Sequence, residues 1–342
     1  MKKHLFTIAW LLAAATAPAQ YAQFALRSDT TGRGAAPGAQ PVLRSYAATA
    51  ALLDAALNSL NSLHSSVSRD NYRNRVNALN NPTSSDLGYS LEGEIQGGLQ
   101  PILAKTKSVN ANRFTNVVGA LLQGQKTGSL SLMPALAALV GNLAVQEKRV
   151  TREDLDSFLQ RTGRYFAPYE KLQQSNERFE QQLTRLTARL SELQFDIREY
   201  TLDMVMLLHP DETRSLLRQK TIEELLLQYL DVSILERIDS TRSLPLYPAD
   251  GVKGAKDLCN DVHKLFRDYQ KVYQDNYNEI RVIVQSGRSL GGGSNTVTAD
   301  ATLRELETLY NESARADVLN LRLSTLAGRL HALVQSTQAL PR

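Results

Sequence analysis

The sequence predicts an all-α protein: an elongated helical bundle of long antiparallel coiled-coil helices, preceded by a helical N-terminal module. Three observations lead there. A heptad seam runs without a slip from Phe158 to Leu207. Apolar residues at spacings of three and four recur on both sides of it, from Leu53 to Val67 and from Leu319 to Leu333. Breaks containing Pro or Gly separate these stretches. The 342 residues are 42% hydrophobic and 22% charged, with one Cys. That composition excludes collagen, a disulfide-stapled miniprotein and a wholly disordered polymer. No strongly apolar run of about 20 residues recurs, which excludes a polytopic membrane protein.

Residues 1–19 read as a secretory signal. Lys2 and Lys3 supply the positive start, Leu5 to Ala15 the apolar run, and Ala17-Pro18-Ala19 the small residues before a cut at Gln20. Gln20 stands where a lipoprotein would need Cys. Without the signal, 37 basic residues face 35 acidic ones, a net of +2 that gives no argument for nucleic acid. Cys259 is the sole cysteine, so no intramolecular disulfide forms and packing must supply the stability. Residues 20–44, rich in Gly, Ala, Pro and Thr, read as a flexible leader.

A helical N-terminal module is expected over 45–150. Leu53, Leu57, Leu60, Leu63 and Val67 share a helix face, and the pattern fades through Tyr72, Val76 and Leu79 to Asn80-Asn81-Pro82. Leu87, Leu91, Ile95, Leu99 and Ile102 fit a second helix, which Gly88, Gly93, Gly97 and Gly98 weaken by about 1 kcal/mol each. Phe114 to Gln123 and Leu130 to Val145 flank the turn Gly124–Gly128 and read as a buried helical hairpin. The uncharged window from Thr127 to Gln146 makes Leu130–Val145 the segment through which membrane contact would occur, although its apolar part is short.

A coiled-coil bundle is expected over 151–338. Thr151 with Asp154 forms a helix N-cap pattern. The seam then runs Phe158, Thr162, Tyr165, Tyr169, Leu172, Asn176, Phe179, Leu183, Leu186, Leu190, Leu193, Ile197, Tyr200, Met204, Leu207. A 3.5-residue period held this long implies left-handed supercoiling. Pro168 should end one helix near Gly163 and start another, running about 60 Å to His209. The flanking heptad positions carry few opposed charges, which favours several packed helices over a two-stranded zipper. Asn176 reads equally as a register-fixing buried amide or as a solvated position.

After the corner His209-Pro210, a helix to about Asp239 is expected, then a loop over 240–254 with Pro245, Pro248 and Gly251. A further helix carries Leu258, Val262, Leu265, Tyr269, Val272, Ile280 and Val284 inward. Gly291-Gly292-Gly293-Ser294 reads as a linker, and a last helix spans about Asp300 to Thr337.

The chemistry-bearing residues each have a structural reading that outweighs the functional one. Gly119 to Thr127 approximates a phosphate loop, but Gln125 separates Gly124 from Lys126 and no strand precedes it. Cys259 and His263 share one helix face while Asp257 and Asp261 share another, so the four do not converge on a metal. Glu92 and Glu94 are the one carboxylate pair considered for glycan cleavage, and helical geometry turns them apart. His64, His209 and His331 lack an acid-and-nucleophile set, and His209 suits a helix end. Arg69, Tyr72, Arg73 and Arg75 read as a solvated helix face. Residues 20–150 carry a net charge of +5 and residues 151–342 a net of −3. Such sparse charge suits a compact or partner-facing N-terminal region.

No catalytic residue, cofactor-binding residue or metal ligand is assigned. The expectation is an exported, non-catalytic structural or adaptor protein of a bacterial-type envelope or secretion/conjugation assembly, periplasmic or secreted. Its partners would be proteins and not nucleic acid, with self-association left open. A cell-envelope (peptidoglycan) hydrolase and a membrane-associated amphipathic helical protein are the alternatives.

Overall fold

The computed structural model describes residues 39–68, 70–106, 115–120, 132–146, 150–235, 249–291 and 296–313, with residue 112 and scattered positions from 324 to 335. Among these the protein is an all-α helical bundle without strands. In chain order the helices are α1 (Ala39–Ser68), α2 (Asn71–Leu79), α3 (Leu91–Leu103), α4 (Leu132–Gln146), α5 (Arg152–Leu208), α6 (Arg214–Leu217), α7 (Ile222–Tyr229), α8 (Val232–Leu235), α9 (Ala249–Gly291) and α10 (Thr296–Ser313). Residues 115–120 add a short helical piece. The expected signal, the turn Gly124–Gly128 and the Leu319–Leu333 repeat lie outside the described residues.

The chain divides into two compact units, each drawing on residues before and after Thr151. The first gathers the described residues of Met1–Ser68, Arg185–Asp268 and Ala316–Arg342. The second comprises Arg69–Thr184 and Tyr269–Arg315. Both α5 and α9 pass through both units, so the boundary between units does not follow the segments 45–150 and 151–338.

In the first unit, α1 buries Tyr46, Leu52, Leu53, Ala56, Leu60 and Leu63. The same unit also buries Leu190, Leu193 and Ile197 of α5, Leu225 of α7 and Val262 and Phe266 of α9. The polar residues on the buried side of α1 return their hydroxyls to the helix: Thr49 donates to the Ser45 carbonyl and Ser59 to that of Ala55. Positions 39–44 are helical, where a flexible leader was expected.

One expected helix after Pro210 is replaced by three short ones, α6, α7 and α8. The physical cause is local capping. Thr221 and Glu224 form a reciprocal capping box that starts α7. Asp231 then accepts from the Ser233 N–H at 2.9 Å and opens α8. Residues 249–254 belong to α9, so the expected loop does not extend to Gly254.

In the second unit, Asp70 starts α2 by accepting the Tyr72 N–H at 3.0 Å, which separates α2 from α1. Ser90 likewise caps α3 at Leu91, so Leu87, Gly88 and Tyr89 form a turn and not the expected helix start. Gly88 has φ +86°, a left-handed conformation that favours glycine. Gly287 and Gly291, one turn apart on α9, lie directly against this turn. A Cβ on Gly287 would meet the Leu87 oxygen at 2.5 Å, and one on Gly291 the Gly88 oxygen at 1.8 Å. Gly291 therefore ends a helix in a close packing contact, where a linker residue was expected. Gly98 plays the same part for α3, since its Cβ would sit 2.9 Å from Thr162 Cγ2 of α5.

The helix α5 runs unbroken through Pro168 for 57 residues, correcting the expected interruption after Gly163. A mid-helix proline costs about 3 kcal/mol. Tyr165, Phe166, Tyr169 and Leu172 around it are all buried, and each such side chain contributes about 1.5–3 kcal/mol. The Tyr89 hydroxyl also donates to the Tyr165 carbonyl at 2.7 Å. Thr151 and Asp154 cap α5 reciprocally as the sequence implies. The seam is buried from Phe158 to Leu183 and again at Leu190, Leu193 and Ile197. It drifts at its end: Leu207 is 36% exposed while Thr201, Leu202, Val205 and Leu208 are buried.

The glycine contacts yield a paired test. Gly291→Ala should destabilise the protein by about 1–3 kcal/mol, as overpacking does. Gly97→Ala, on the exposed side of α3 with nothing within 4 Å, should stabilise it by about 0.5–1 kcal/mol. Urea unfolding followed by circular dichroism measures both.

Candidate functional site

An open groove of about 330 Å³ lies in the first unit. Leu57 and Asn61 of α1 form one side, Gln194, Phe195 and Arg198 of α5 the floor, and Thr221, Ile222 and Glu223 the start of α7. Heptad packing explains why Phe195 is there. Leu193 and Ile197 turn inward on α5, which leaves position 195 facing out at 59% exposure. Polar bonds hold the walls. The Gln194 amide donates to Asn61 Oδ1 at 2.8 Å. Arg198 donates to the carbonyls of Arg218 at 2.5 Å and Lys220 at 2.9 Å, which end the α6 segment. Leu227 follows Glu223 by one helical turn, so it extends the same face of α7, and it is 55% exposed.

Two arginines beside the groove are paired with carboxylates. Arg214 and Arg218 both reach Glu199, at 2.5 and 3.0 Å, and Arg214 also meets Asp203 at 2.6 Å. Arg218 and Arg214 hold the Glu199 carboxyl below the ordinary carboxylate range. His209 closes the corner: its Nε2 lies 3.1 Å from the Tyr229 carbonyl and its ring packs edge-on to Tyr229. It thus serves the end of α7, whereas the sequence suggested the end of its own helix.

The second unit is organised around buried hydroxyls. Asp70 accepts hydrogen bonds from Tyr273 and from Ser313, the latter at 3.0 Å, besides the Tyr72 N–H. Tyr72 donates to Asn276 Oδ1 at 2.8 Å, and Asn276 donates to Ser175, which donates to Glu279 at 2.8 Å. Burial pushes the phenols of Tyr72 and Tyr273 well above the ordinary range, and that of Tyr269 up to about 12. These groups stay protonated as donors. Tyr72 therefore belongs to the core, correcting its placement on a solvated face. Arg73 pairs with Glu180 at 2.5 Å, and Arg75 with Asp86 at 2.9 Å and Glu305 at 2.8 Å; Arg69 lies outside the described residues. No spacing rule in the sequence brings Asp70, Tyr273 and Ser313 together, because the contacts span some 200 residues.

The other sequence candidates take structural positions. Cys259 is buried and its thiol is raised by desolvation to about 11. Among the described residues no group of three or more His, Cys, Asp or Glu side chains could hold a metal ion. Glu92 and Glu94 sit in the first turn of α3, where carboxylates complement the helix dipole, and Glu92 accepts from Gln96 at 3.0 Å. Asn176 is buried, and its amide donates to Asn77 at 2.6 Å while its Oδ1 has no partner. His64 is exposed on α1, and His331 lies 3.1 Å from the Gln335 amide. The phosphate-loop-like stretch lies outside the described residues beyond Ala120. Within α4, Leu136 is buried and Pro134 and Asn142 are exposed, and no described helix is long and apolar enough to cross a membrane.

Comparison with protein-family models, with curated proteins and with solved structures finds no match for this chain.

The thiol makes a direct check. A group whose acid pKa rises on folding adds stability below its unfolded value, here 9.0, and that contribution is lost as pH climbs through about 11. At pH 8 the native thiolate fraction should be about a hundredfold below that of the unfolded chain. Alkylation of Cys259 should accordingly be slow until denaturant is added, and stability should fall on titration above pH 9.

Proposed function

We propose that the protein is an exported, non-catalytic helical adaptor of a bacterial-type envelope or secretion/conjugation assembly, acting through protein contacts. One observation carries this reading: Phe195 stands 59% exposed on an open groove whose walls are held by Asn61, Gln194 and Arg198. Aromatic side chains on a rigid helix are the usual anchors of protein interfaces, because they bury much area for little lost freedom. Leu227 enlarges the apolar surface beside it. A groove open to solvent suits a partner's side chains better than a small substrate, which needs enclosure. The N-terminal charge-and-apolar pattern from Lys2 to Ala19 supports export, and a lone buried cysteine suits an oxidising compartment.

Replacing Phe195 with a photo-crosslinking residue in native cells should give discrete adducts with one or more envelope or secretion components by mass spectrometry. The same residue at the exposed position Val297 is the control. Indistinguishable adduct patterns at the two positions would refute the adaptor reading. Digestion of purified cell-wall material by the protein, lost on Glu92→Gln or Glu94→Gln, would replace it with the hydrolase.

A further inference from the structure

We propose that α10 is a detachable strap that opens as a unit while the remaining helices of its compact unit stay folded, uncovering an aromatic face at Tyr72 and Tyr277. The reasoning starts from what α10 buries. Of its 18 residues only Ala299, Thr302 and Leu306 are buried, and its aromatic contact is made by the half-buried Tyr310. Val297, in its first turn, is 72% exposed. In the same unit α5 buries Phe158, Tyr165, Phe166, Tyr169, Leu172, Phe179 and Leu183. Elements with few buried apolar side chains open at lower free energy than the core.

Apart from these side chains, the fastenings of α10 are polar and spaced along it. Asp300 pairs with Arg288 at 3.2 Å, Thr302 donates to Asp86 at 3.3 Å, and Glu305 pairs with Arg75 at 2.8 Å. At its end, Ser313 donates to Asp70 at 3.0 Å, and its carbonyl accepts from Tyr269 at 3.4 Å. Surface ion pairs of this kind contribute little net stability, because water competes for both partners. They do set where the helix docks. Such a set gives a specific but weakly held contact. Beneath it, Tyr310 stacks on Tyr277 with centroids 4.7 Å apart and meets Tyr72 edge-on at 6.4 Å. Lifting α10 removes Tyr310 and exposes both rings. Arg75 keeps Asp86 as a partner when Glu305 leaves, so opening strands no buried cation. This inference does not depend on the adaptor reading.

Native-state amide hydrogen exchange on the full chain tests it. Amides of 302–313 should exchange at least about tenfold faster than those of 165–183, through an opening insensitive to low denaturant. Glu305→Gln should speed exchange in 302–313 a further two- to fivefold, roughly the worth of one surface pair, and leave 165–183 unchanged. Leu306→Ala should speed it by more than about tenfold. The strap is refuted if 302–313 are as protected as 165–183. It is equally refuted if Glu305→Gln changes both segments by the same factor, because α10 would then open only with the whole unit.

Discussion

The buried face that α5 presents in each unit is the constraint on which the rest of the structure depends. The helix carries residues of both cores, Leu190, Leu193 and Ile197 in one and Phe158, Leu172 and Phe179 in the other. Its length is not secured by propensity, since isolated helices are marginal and Pro168 works against this one. Side-chain burial on either side of Pro168 outweighs the missing backbone bond.

The ionisable groups are used in the same structural spirit. Asp70, Thr221 with Glu224, and Asp154 with Thr151 all start helices. Buried phenols and the Cys259 thiol are pushed toward their neutral forms by desolvation, while Asp86 and Glu199 are drawn toward their charged forms by arginines. The proposed adaptor role draws on the outward Phe195.

Periodicity made the long helices legible before any coordinates. The α1 and α5 seams rest on local spacing, and spacing is what a sequence displays. Capping was legible at Thr151 for the same reason. It was missed at Thr221 because the apolar run on either side read as one helix. Glycine was misjudged at Gly98 and Gly291, where the absent Cβ is filled by another segment of backbone or side chain. The groove was hardest to foresee. Phe195 is visible as an outward aromatic in the heptad, but its walls come from residues 57–61 and 221–223, far apart in the chain. The Asp70 cluster was hidden for that reason too.

The most direct test of the shared face is a matched pair of truncations within α5, Phe179→Ala in one core and Leu193→Ala in the other, followed by urea unfolding with far-ultraviolet circular dichroism. Both side chains are almost fully buried. Each substitution should cost about 2–5 kcal/mol, the range for core truncations that leave a cavity. A change below about 0.5 kcal/mol at either site would place that side chain in solvent, as is normal for surface substitutions, and would contradict a face buried along both units.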